Sequence, residues 1–187
     1  MAEAPFGLQV GPLENPVAPD LPFYPTAPVE LDEVARLDVV YRNVVDLPVS
    51  PDELFDIFED PVSWTRWAIG IGEVEWTSDK PFGVGTTRTV RFWGGMEVYE
   101  TFMGWERGRC MAFFFTGITQ DVWWRFCERY DVEPTPDGSR LTWSVAYTPR
   151  GVFAKIHFLV QPVMAVAFKL FLVRLRRYCR RGAKRKL

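Results

Sequence analysis

DVVYRNVVDLPVSPDELFDIFEDP, residues 38–61, decides more of the fold than any other stretch of this chain. Its first ten residues are rich in β-branched side chains and read as a strand. Ser50 then precedes Pro51, Asp52 and Glu53. A hydroxyl that can cap free backbone N–H groups, a proline at the first helical position and carboxylates facing the positive end of the helix dipole together start a helix. It is expected over 51–58. Asp60-Pro61 repeats the punctuation and opens a second short helix around Val62–Trp67.

Strand patterns fill the next ninety residues. Gly72–Thr77 is one. Val84–Trp93 and Met96–Glu106 follow, with Gly94-Gly95 between them as a two-residue hairpin turn. Arg109–Thr116, Val122–Glu133 and Arg140–Thr148 complete the set, the last two joined across Pro134–Ser139. Connections this short imply an antiparallel meander. After Pro149 and Gly151, apolar residues recur every three or four positions from Phe153 to Tyr178, which predicts a helix of roughly 25–30 residues with Pro162 kinking it or starting its main segment. The class is α+β: about seven antiparallel strands, two short helices after the first strand, and a long C-terminal helix.

Upstream the pattern is different. Seven of the fifteen prolines fall in residues 1–30. Proline fixes φ and removes a backbone donor, so residues 1–37 read as an extended arm, with disorder expected in the first fifteen. Residues 38–181 form the domain, and 182–187 a basic tail.

A chain of 187 residues can bury a core without staples. Its three cysteines are scattered and it has a single histidine, so neither a disulfide framework nor a metal site is expected, and no cofactor. The opening MAEAPFGLQVGP lacks the basic and apolar regions of a secretory leader, which points to a reducing, cytoplasmic setting. Through Asp137 there are ten basic and twenty-four acidic residues; beyond it there are twelve basic and none acidic. That asymmetry marks the C-terminal helix as an interaction surface.

Four stretches carry a resemblance to a known family. They are VDLPVSPDELFDIFEDP (45–61) with Trp64 and Trp67, FGVGTTR (82–88), ETFMGWE (100–106) and ERYDVEPTPDGSRLTW (128–143). With the order of elements, they resemble the START/SRPBCC superfamily and its polyketide cyclase/dehydratase-like members, over about residues 38–180. The resemblance implies the helix-grip fold: a curved antiparallel sheet around a long C-terminal helix, enclosing a cavity for a lipid, sterol, polyketide or other hydrophobic molecule. Some members of that superfamily are enzymes and many only bind or carry, so fold alone does not choose.

Within this frame the alternation of Val122, Trp124, Phe126, Glu128, Tyr130 and Val132 puts Glu128 on an inward, otherwise apolar strand face. A buried carboxyl has a raised pKa and suits a general acid or a ligand anchor. On the hairpin, a two-residue turn sets Arg88 opposite Thr101 and Glu100 opposite Thr89, with Glu100 sharing a face with Arg91. One arginine then points inward, and a bulge would swap which. His157, on the helix stripe with Met164 and Phe168, is the one side chain that ordinarily titrates near neutrality. The candidate catalytic residues are Glu128, Arg88 and His157. The candidate ligand contacts are Asn43 and Tyr41 on the first strand, Trp64 and Trp67, then Arg91, Tyr99, Glu100 and Phe102 on the hairpin, Trp124, Phe126 and Tyr130, and finally Trp143, Met164 and Phe168.

Residues 158–175 are apolar almost all round, and eight basic residues follow from Arg174 to Lys186. A helix apolar on two sides needs a second partner: the arm, another subunit in a homodimer, or an anionic membrane surface. Without a stacking platform or recognition helix, nucleic acid is not expected. The expected function is a carrier or binding protein for a small hydrophobic ligand, with a cyclase/dehydratase-type enzyme working by acid–base chemistry in the same cavity as the alternative. A third reading is a peripheral interaction module built on the basic helix.

Overall fold

The computed structural model describes residues 21–184. The disorder expected in the first fifteen residues, and Arg185 and Lys186 of the basic tail, lie outside them. Ser50 caps α1 (Pro51–Glu59): Glu53 N donates to Ser50 Oγ at 3.3 Å, and Ser50 N to Glu53 Oε2 at 2.9 Å, a reciprocal capping box. Asp60 caps α2 (Pro61–Trp67) through Val62 N at 3.0 Å. The apolar faces of both helices, with Leu54, Phe55, Phe58, Trp64 and Trp67, are buried in the main core.

Besides a short β1 (Tyr24–Pro25), the strands are β2 (Val39–Leu47), β3 (Ile71–Trp76), β4 (Thr87–Phe92), β5 (Glu97–Glu106), β6 (Cys110–Ile118), β7 (Trp123–Thr135) and β8 (Gly138–Pro149). They pair antiparallel in the order β2-β8-β7-β6-β5-β4-β3, a meander whose two ends are linked in sequence by α1 and α2. Bulges between β5 and β6 and at the start of β7 bend the strands and curl the sheet. Into the concave side packs α3 (Phe153–Lys184), which runs through Pro162 without ending there. Phe168, Leu172, Leu175 and Cys179, at helical spacing, bury one face of it against the sheet. This is the helix-grip arrangement, as the resemblance implied.

Between residues 24 and 37 the arm joins the sheet at Tyr24–Pro25 and then packs across it. β1 pairs with β6, and Ala27 N donates to the Trp124 carbonyl at 2.8 Å. Val29 and Val34 cover Phe114, Cys127 and Ala146 on the convex face as a second, smaller core. That cover explains why Met111–Phe115 reads as an unbroken apolar run: β6 is buried on both faces.

The central hairpin departs from expectation. Phe92 N donates to Met96 O at 2.8 Å, so the loop is Trp93-Gly94-Gly95 and not Gly94-Gly95 alone. Both glycines have positive φ, 91° and 85°, which is why this looser loop is open to them. The added residue shifts the register by one and sets Arg88 directly opposite Glu100.

Candidate functional site

Between the concave sheet, α2 and α3 lies a cavity of about 140 Å³. Trp64, Trp67 and Ile71 wall one end, Met164, Phe168 and Phe171 of α3 another, and Phe126 and Trp123 a third. Its polar groups come from three strands of the sheet: Arg88 on β4, Glu100 on β5, and Glu128 with Tyr130 on β7.

Arg88 is 3% exposed and forms a direct ion pair through Nε with Glu100, itself 4% exposed. Rings surround the guanidinium: its Cζ lies 4.4 Å from the Trp64 centroid, 4.8 Å from Phe113 and 5.3 Å from both Trp76 and Phe102. A desolvated cation regains from such faces part of what it loses in water contacts. Glu128 has no cation of its own. Its Oε2 accepts from Trp143 Nε1 at 2.9 Å and from the Tyr130 hydroxyl. One arginine thus serves a buried carboxylate, Glu100, and a half-buried one, Glu128. Burial raises the pKa of Glu100 to about 7, with Arg88 offsetting only part of that and the Glu128 charge adding to it. Burial likewise raises Glu128, although its two donors oppose the rise. This set of groups is therefore built to hold a proton near neutral pH, and acid–base chemistry is open to it.

Three residues of this lining each carry a buried donor with no partner among the described residues: Arg88 Nη1, Trp67 Nε1 and Trp123 Nε1. Buried polar groups are nearly always paired, so an orphan trio around one cavity asks for acceptors from a ligand or water. Among the described residues no three His, Cys, Asp or Glu side chains gather as a metal set.

Of the candidates read from sequence, Glu128, Arg88, Trp64, Trp67 and Glu100 line the cavity, as do Phe126, Tyr130, Trp143, Met164 and Phe168. The others stand elsewhere. Trp124 is 49% exposed, because the bulge between Trp123 and Arg125 turns the alternation over and sends Trp123 inward. Arg91 lies on the convex side between Glu73, Glu75 and Glu97, at 3.1, 2.9 and 3.1 Å. Glu100 consequently shares a face with Arg88 and not with Arg91, and Arg88 is the arginine that points inward. Tyr99 is also on the outer face, donating to Glu97 at 2.9 Å with its ring 5.7 Å from Phe23 of the arm. Phe102 is fully buried behind Arg88. Tyr41 closes the seam between β2 and α3, its hydroxyl donating to the Gln161 carbonyl at 3.3 Å. Asn43 faces a separate groove along that seam. His157 sits about two turns before the first cavity residue of α3, beside Gln161 at 3.2 Å.

Among the lining residues that sequence reasoning missed are Trp123, Phe113, Phe115, Met96, Ile71 and Phe171. Nothing in the local pattern reports a bulge, so Trp123 had no signal; Phe113 and Phe115 sat in a run with no alternation to orient them.

The comparisons with known proteins agree with this geometry. The sequence is 40% identical over 155 residues to proteins of Mycobacterium tuberculosis and Mycobacterium bovis, covering 83% of this chain and 93% of each relative; both are named only as uncharacterized. Among solved structures, the fold is similar to the Zhui aromatase/cyclase from Streptomyces sp. R1128, with a TM-score of 0.65, 9% identity, and coverage of 78% of this chain and 95% of that one. It is similar to TTHA0849 from Thermus thermophilus, with a TM-score of 0.63, 17% identity and coverage of 77% and 99%. It is also similar to Ara h 8.0201, at 0.54, 17%, 72% and 95%. At these identities the structures speak for the fold alone. Residues 38–180 match the family described as polyketide cyclase / dehydrase and lipid transport, and the chain belongs to that family.

Proposed function

We propose that this protein binds a compact, neutral, oxygen-bearing hydrophobic molecule in the cavity, acting as a binding or carrier protein. The observation that carries the reading is the trio of donors without partners, Arg88 Nη1, Trp67 Nε1 and Trp123 Nε1, on residues of a lining that is aromatic and aliphatic apart from Arg88, Glu100, Glu128 and the Tyr130 hydroxyl. Apolar walls with a few convergent polar groups are what a small-molecule pocket requires. Size narrows the ligand. A volume of 140 Å³ is close to the roughly 150 Å³ of an engineered cavity that takes up benzene, so one or two rings fit and a four-ring sterol needs α3 to move. Charge narrows it further: two carboxylates beside one arginine favour a neutral acceptor such as a ketone over an anion.

Isothermal titration calorimetry with the matched pair 1-tetralone and tetralin tests this. The ketone is expected to bind at least about tenfold more tightly, the worth of one buried hydrogen bond. Equal affinity, or binding of neither, contradicts it.

A second reading, cyclase/dehydratase-type catalysis on a polyketide-like chain, is favoured by the raised pKa of Glu100 and of Glu128. Glu128→Gln separates the two. An enzyme keeps its ligand affinity and loses turnover of a polyketide substrate, whereas a carrier shows no turnover before or after the change.

A further inference from the structure

Outside the cavity, α3 carries a second apolar face. Ile156, Leu159, Val163, Val166, Leu170 and Val173 follow one another at spacings of three and four residues, each 43–66% exposed. They form a stripe roughly 25 Å long on the side turned from the sheet. By length and composition the helix is apolar enough to cross a membrane, yet little of that apolar stretch is buried in the protein. Single exposed aliphatics are ordinary on a protein surface; a continuous stripe marks a contact.

The C-terminal end of that stripe runs into a groove of about 570 Å³ between β2 and α3. Arg42, Lys169, Arg176, Arg177 and Arg180 line it, with Val44 and Val173 among them and no carboxylate. Asp46, whose charge feels Arg176 from beside the groove, is already held by Arg140 at 2.7 Å. The groove therefore gathers five positive charges with no acid in its lining to balance them.

Three occupants suit an apolar helix face, and the charges choose. The three-and-four spacing is also that of a helix pair. A second copy, however, would bring Lys155, Lys169 and Arg176 against their own equivalents, because α3 has no acidic residue to meet them. A helix encircled by lipid is excluded by the burial of Phe168, Leu172, Leu175 and Cys179 against the sheet. An anionic bilayer surface satisfies both features at once: acyl chains take the stripe and headgroup phosphates the groove. We propose that α3 lies along the surface of an anionic membrane, inserted by its outer stripe and held by the Arg42–Arg180 groove. This docking is independent of what the cavity holds.

Co-sedimentation of the full chain with vesicles tests it, using phosphatidylcholine alone and phosphatidylcholine with one third phosphatidylglycerol. Strong partitioning onto the anionic vesicles only, reduced by salt, is expected. Lys169→Gln/Arg177→Gln/Arg180→Gln should lower it about a hundredfold, at about fivefold per charge. Leu159→Glu/Val166→Glu should lower it at least about tenfold while circular dichroism and Tm stay as in the wild type. Equal binding to both vesicle types, or to neither, overturns the proposal. So does a concentration-dependent dimer in sedimentation velocity that Leu159→Glu/Val166→Glu abolishes, since the stripe would then belong to a second copy.

Discussion

Arg88 and Arg91 stand three positions apart on β4, each bound to carboxylates of neighbouring strands, yet they do different work. The odd spacing puts them on opposite faces of the sheet. Arg88 is 3% exposed, caged by rings and set beside the buried Glu100 and the half-buried Glu128. Arg91, whose side chain is 36% exposed, sits among three glutamates of the convex side. Salt bridges of one chemistry therefore differ in consequence by their dielectric surroundings. The outer one is screened by water and adds little, while the inner one sets the protonation state and the unpaired donor of the cavity.

That contrast breaks most visibly at Arg88. Arg88→Ala leaves the buried Glu100 and the half-buried Glu128 without a cation, and urea unfolding at pH 7 should show a loss of about 3–5 kcal/mol. Protonation of the stranded carboxylates would trim that loss at low pH.

Next in size is a pH effect. Glu100 titrates near 7 when folded, above its ordinary 4.5, so the folded state holds a proton that the unfolded state has released. Its contribution is fully present below about pH 4.5 and is lost as pH rises through about 7, up to about 3 kcal/mol in all. Glu128→Gln removes a charge that raises Glu100 and should flatten this slope. An unchanged slope in the stability profile would mean that the two carboxylates do not sense each other.

The arm gives a smaller effect. A Cβ on Gly117 would lie 2.1 Å from Cε2 of Phe23, so Gly117→Ala must displace that ring from the convex face. A loss of about 1–3 kcal/mol, with cavity binding unchanged, is expected from thermal unfolding and calorimetry. Smallest is Arg91→Ala, at less than about 1 kcal/mol by the same unfolding measurement.

Sequence alone carried the helix starts and the order of elements, because caps and strand periodicity are local signals. Ser50, Glu53 and Asp60 do in the structure what their chemistry implies. The inward aim of Glu128 was legible for the same reason, since the alternation on β7 is regular from Phe126 to Val132. It failed two positions earlier, where a bulge exchanges Trp124 for Trp123. The Arg88–Glu100 pair was lost to one residue of loop: Trp93 joins the turn and the whole register moves. A bulge or an extra loop residue leaves no mark on the local alternation of side chains, so neither could be read from it. Burial of the arm was illegible too, because Val29 and Val34 acquire meaning only once Phe114 and Ala146 face them.

Trp67 and Trp123 line the cavity with buried indole N–H groups that have no partner among the described residues, and those groups would report the arrival of a ligand's oxygen. In a ¹H–¹⁵N spectrum titrated with 1-tetralone, the Trp67 and Trp123 indole resonances should shift together, while those of the exposed Trp93 and Trp124 stay in place. Shifts confined to Trp93 and Trp124, or none at Trp67 and Trp123, would contradict it.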